Sequence, residues 1–103
     1  MVEIYHNKQF LSYMMDKTID PLDLEHIANV NTDELEVAFI TSQNVGEPND
    51  PWINNSTVEA VKPGIIYRST SVGDVFKRDG KFYVIEMVGY NEIDIDEENI
   101  GVV

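Results

Sequence analysis

The chain reads as an α+β domain: a mainly antiparallel sheet, with a β-hairpin in its C-terminal half, packed against one principal helix. Three observations predict this. Asp79-Gly80 lies between residues 75–78 and 81–88, and both residues tolerate the positive φ that a two-residue primed turn requires. Residues 32–43 set Leu35, Ala38, Phe39 and Ser42 at helical spacing. A length of 103 residues supplies one core and little material for a second, so one compact domain over 1–93 and an acidic tail over 94–103 are expected.

Taken in order, residues 2–6 alternate as a strand with Val2, Ile4 and His6 on one side. Phe10, Leu11, Met14 and Met15 recur at helical spacing, which predicts a short helix from Asn7 or Lys8 to Asp16, before Asp20-Pro21 interrupts it. The methionines read as core filling, with an adaptable contact surface as the alternative. Leu24, Ile27 and Val30 fit a strand and a helix alike. Asn31 with Glu34 resembles a helix N-cap, and Asp33, Glu34 and Glu36 suit the positive end of a helix over 32–43, whose apolar surface Val37 and Ile40 extend. Residues 44–55, with Gly46, Pro48 and Pro51, break regularity and carry the sole tryptophan, Trp52. Trp52 reads as an anchor of this loop on the core, with a protruding binding residue as the alternative. A short strand over 58–61 ends at Pro63-Gly64, and extended chain resumes over 65–68.

The second arm of the hairpin puts Phe82, Val84, Glu86 and Val88 on one face and Tyr83, Ile85 and Met87 on the other. Both faces are largely apolar, which predicts a central strand covered on two sides and a partner for Glu86. Phe39, Trp52, Val75, Phe82, Val84 and Val88 are the expected core. Ile93 and Ile95 alternate, so the start of the tail has the pattern to join the sheet.

Charge is the strongest compositional signal. Nineteen acidic against seven basic residues give a net charge of −12, which repels nucleic acid at long range. Between the acid-rich residues 1–61 and 91–103 lie Lys62, Arg68, Lys77, Arg78 and Lys81 against Asp74, Asp79 and Glu86, so the hairpin is a mildly basic island. It reads as a solvated edge protected by cations, or as a dipolar binding surface. A hydrophobic content of 43% argues against a wholly disordered chain. No apolar run reaches a membrane span and no signal-peptide pattern opens the chain, so a soluble protein of the host-cell cytoplasm is expected. The absence of cysteine excludes disulfides and thiolate metal sites.

Ahead of the hairpin, Ser69, Thr70 and Ser71 precede Val72-Gly73-Asp74, whose short side chains close turns by bonding the nearby backbone. The run Arg68-Ser69-Thr70-Ser71-Val72-Gly73-Asp74, followed by Gly89-Tyr90-Asn91-Glu92, resembles small phage and mobile-element proteins akin to YodL-like domains, with their R-S-x-S-V-G-D motif. The resemblance extends back through residues 40–44, Pro51-Trp52 and Asn54-Asn55, while Lys77-Arg78 and the acidic tail depart from it. It implies a phage or mobile-element accessory protein and carries no settled activity to transfer.

Catalytic candidates are thin. His6 and His26 lack metal-type spacing, Ser69 and Ser71 lack a nucleophile-elbow context, and the glycines are separated turn residues rather than a phosphate loop. Asp94, Asp96, Glu97, Glu98 and Asn99 fail the calcium-loop pattern and read as a solvated tail. No enzyme activity, cofactor or metal is therefore expected. The sequence favours a non-enzymatic protein that binds and modulates a host or phage protein, one form being an acidic inhibitor of a nucleic-acid-binding defence protein. Candidate interaction residues are Arg68, Lys77, Arg78, Lys81 and Trp52. Ser69, Ser71, Gly73 and Asp74 are the candidate structural turn, with a recognition surface as the alternative. A nucleic-acid module using the basic hairpin, with Tyr83 or Tyr90 for stacking, and a self-associating virion component are the other readings.

Overall fold

The computed structural model describes residues 1–45 and 50–101. Gly46 and Pro48 of the irregular loop, and the last two residues of the tail, lie outside that description. The fold is α+β: among the described residues, six strands form one antiparallel sheet flanked by two short helices. In chain order these are β1 (Val2–Asn7), α1 (Phe10–Asp16), β2 (Leu24–Val30), α2 (Leu35–Thr41), β3 (Val58–Ala60), β4 (Val75–Arg78), β5 (Lys81–Ile85) and β6 (Tyr90–Ile93). The order across the sheet is β3-β2-β1-β4-β5-β6, which places β1 between partners distant in sequence.

Strand alternation divides the core into two layers. Val2 and Ile4 of β1, Phe76 of β4 and Ile85 of β5 face Leu35 and Ala38 of α2. On the other side Tyr5, Leu24, Val75, Phe82 and Val84 pack with Tyr13 of α1. The residues over 24–30 thus form a strand, and a bulge between Ile4 and Tyr5 lets Ile27 join the first layer without losing the alternation beyond it. The hairpin turns at Asp79 (φ 52°) and Gly80 (φ 77°), a pair of positive values that matches the primed-turn requirement, with Arg78 opposite Lys81.

Several expectations are corrected. The second hairpin arm stops at Ile85 rather than residue 88, because Glu86 donates its N–H to the Gly89 carbonyl at 3.1 Å and the chain reverses into β6. Val88 sits on that turn, 94% exposed, and is not core. Helix α2 starts at Leu35, not residue 32: the Asn31 N–H is spent on the Thr57 carbonyl (3.0 Å), and Thr32 Oγ1 accepts the Glu34 N–H (3.1 Å). Met14 and Met15 do not fill the core. The Tyr13 hydroxyl donates to Glu86, and this bond turns α1 so that Tyr13 is buried while Met15 is 88% exposed. Residues 65–68 lie outside the sheet.

The segment over 94–101 is docked rather than a free tail. Ile95 and Ile100 pack on the second layer, and the Gly101 N–H donates to the Pro21 carbonyl at 3.1 Å. Asp96 caps a short 3-10 turn, Glu97–Asn99, and Glu97 accepts a bond from Lys77. No helix among the described residues is long and apolar enough to cross a membrane.

Candidate functional site

The motif at residues 68–74 converges on one carboxylate. Asp74 is fully buried, and a buried charge is tolerated only when paired and hydrogen-bonded. The Arg68 guanidinium supplies both: Nη1 donates to Oδ2 at 2.7 Å and Nη2 to Oδ1 at 2.8 Å, a two-pronged fork. Backbone N–H groups of Asn7 and Ser71 donate to Oδ1 and Oδ2, each at 2.7 Å, so four donors fill the carboxylate's acceptor sites. Arg68 also donates to the Ser69 and Asn7 carbonyls (3.1 and 3.2 Å), and its carbon Cζ lies 3.8 Å from the centre of the Phe10 ring. One ion pair therefore joins the end of β1, the start of α1 and the entrance to β4.

Around it, side chains satisfy a stretch of backbone that has no neighbouring strand. Gln43 donates to the Thr70 carbonyl (2.8 Å), Asn44 Nδ2 to the Tyr67 carbonyl (3.0 Å), and Trp52 Nε1 to the Arg68 carbonyl (3.0 Å). Ser69 Oγ accepts the Asn44 N–H at 2.8 Å, and Thr70 donates its N–H to the Ser42 carbonyl at 2.9 Å. Trp52, only 4% exposed, thus takes the anchoring place and offers no side chain to a partner. Ser71 contributes through its backbone, as the acceptor for the Asp74 N–H at 3.0 Å. Gly73, at φ 91°, passes so close to α1 that a Cβ there would lie 2.8 Å from the Phe10 carbonyl oxygen, so glycine is required on both counts.

His6 completes the cluster. Its Nε2 lies 2.9 Å from Thr70 Oγ1 and 4.0 Å from Asp74 Oδ2. Burial pushes the imidazole pKa down to about 4; Asp74 opposes the shift and Arg68 adds to it, so the ring is neutral near pH 7. His26 is separate, stacked on Tyr5 at 4.8 Å between ring centres, with Nε2 2.6 Å from Asn29 Oδ1.

The basic hairpin residues each have a local partner. Lys77 lies between Glu3, 3.8 Å away, and Glu97, whose bond raises the lysine pKa. Arg78 donates to the Asp33 carbonyl (3.1 Å) and stacks over Tyr83 with Cζ 5.1 Å from the ring centre. Lys81 is the loosest, 62% exposed and 3.8 Å from Glu92. The partner that Glu86 needs is a set: the Tyr13 hydroxyl, which holds the carboxyl below its usual range and is itself pushed up to about 12 by burial and then by this bond, together with Lys17 at 3.3 Å and Asn91 at 3.4 Å.

Sequence reasoning singled out Arg68 and Asp74 but missed Asn7, Phe10, Gln43 and Asn44 as their supports. No spacing in the sequence connects residue 7 to residue 74; only the β1–β4 pairing brings them together. Comparison of the chain with protein-family models, curated proteins and solved structures gives no match.

Proposed function

We propose that this protein acts by binding rather than by catalysis, as an accessory protein of the phage or mobile-element kind that engages a basic, nucleic-acid-binding protein of its host. The observation that carries this reading is the internal neutralisation of the hairpin. Arg68, Lys77 and Lys81 face Asp74, Glu97 and Glu92, and Arg78 faces a backbone carbonyl and an aromatic ring, while the chain as a whole keeps a charge of −12. A surface of that sign attracts cationic partners and accelerates their encounter, whereas phosphate is repelled. The polar groups at the 68–74 motif are turned on one another, which leaves them a structural task. The resemblance to YodL-like proteins supports the accessory role.

The test is retention of host proteins on the immobilised chain at low and high salt, with double-stranded DNA added as competitor. The expected result is a specific basic protein that binds nucleic acid, released by salt and by DNA. Retention of no specific protein at either salt concentration overturns the proposal. Direct binding of labelled DNA or RNA to the chain at low salt would replace it with the nucleic-acid-module reading.

A further inference from the structure

We infer that the groove between α2 and the β5–β6 turn docks a short cationic amphipathic segment of a partner protein, one bulky apolar side chain flanked by lysine or arginine. This rests on the binding role proposed above and gives it a location. The groove encloses about 390 Å³, with Phe39, Val72, Ile85 and Tyr90 among its walls and Ile40 and Met87 at its margin. Ile40 is 63% and Met87 77% exposed. Apolar side chains gathered on a concave surface of this size suit a single large side chain from outside, and methionine adapts to its shape.

Charge selects the rest of the occupant. The charged residues lining the groove are Glu36 and Glu86, both acids. Glu86 is already met by Lys17 Nζ at 3.3 Å, the Tyr13 hydroxyl and Asn91, so a cation from outside would share it with Lys17 rather than find it free. Glu36 is exposed on α2. A purely apolar segment would strip water from these carboxylates without replacing it, and an acidic one would meet a molecule of net charge −12. Cations on both sides of an apolar anchor meet both demands.

The experiment is a ¹H–¹⁵N NMR titration with short synthetic peptides: Leu-Phe flanked by lysines, Ser-Ser flanked by lysines, and Leu-Phe flanked by glutamates. Each is run on the native chain and on the double variant Ile40→Ser, Met87→Ser. Both replaced side chains are exposed, so the variant's spectrum away from the groove should be unchanged. The expected result is saturable shifts at Glu36, Ile40, Val72, Met87 and Tyr90 with the lysine-flanked apolar peptide alone, and about tenfold weaker binding to the variant, as for loss of an interface anchor. Equal binding of the Ser-Ser peptide, shifts centred elsewhere, or no shifts overturn the inference. Self-association of the native chain that the variant abolishes also overturns it, by assigning the groove to a second copy. If host proteins are retained equally by native chain and variant, the groove is wrong and the binding role stands; if the native chain retains none, the binding role fails whatever the peptides do.

Discussion

Asp74 ties residues 68–71 to the end of β1 by accepting four bonds at once, so its neighbours depend on it more than a turn residue's neighbours would. Removing one partner of a buried pair leaves the other charge uncompensated, which costs more than a lost turn bond of about 1 kcal/mol. Asp74→Asn and Arg68→Ala should each destabilise by about 3 kcal/mol in urea unfolding, and Arg68→Lys should not rescue, because an ammonium has neither the fork nor the stacking plane. A loss below about 1 kcal/mol in both variants would show the network to be incidental. His6 supplies a pH dependence of definite sign. Its folded pKa of about 4 lies below the ordinary value of 6.5, so the unfolded chain binds a proton first. The contribution is complete above 6.5 and is lost as pH falls towards 4, amounting to about 2 kcal/mol by pH 5. His6→Phe should flatten the slope between pH 6.5 and 5, where carboxylates titrate little; an unchanged slope would place the proton elsewhere. The sequence made Asp74 and Arg68 visible as motif members. It could not show that they bond each other rather than a partner, since that depends on Phe10 and Asn7 arriving from the other end of the chain.

At the scale of elements, legibility followed the strength of local rules. Asp79-Gly80 was readable because two residues suffice to set a primed turn, and β1 and α2 because alternation and helical spacing persist over several residues. The end of β5 was not readable, since Met87 and Val88 continue a strand pattern while the turn is made by Gly89 at φ 79° and closed on Glu86. The two valines of this region accordingly separate in mutation. Val88→Asp should leave stability within about 0.5 kcal/mol of the native chain, whereas Val84→Asp should cost about 4 kcal/mol or more by burying an unpaired charge. Equal losses would mean that the strand runs on to residue 88. Helix α1 forms where its spacing predicts, but its buried face is not legible for a different reason: in seven residues Phe10, Leu11, Met14 and Met15 define one apolar face, and a single hydroxyl bond from Tyr13 to Glu86 selects another.

At the scale of the whole molecule, Ile95 and Ile100 of the acidic segment pack against one side of the sheet. Truncation after Ile93 should therefore cost about 2 kcal/mol in partly buried apolar surface and lower the melting temperature; an unchanged melting temperature would return the segment to the role of a tail. Self-repulsion acts across the same whole. Single exposed ion pairs such as Lys81–Glu92 are weak, so screening of the acidic excess should dominate, and the melting temperature should rise by a few degrees between low and moderate sodium chloride. A fall would show that the pairs outweigh the repulsion. The central place of β1 has a consequence for synthesis. β1 lies close to β2 in the chain, yet the edge that carries Glu3, Ile4 and Tyr5 pairs with residues 75–77, which are made much later than β2. Until then the growing chain is half a sheet with an open side, and Asn7 has neither Asp74 nor Arg68 to bond. An unpaired edge of that kind is open to pairing with a foreign strand, and β4 is the element that covers it.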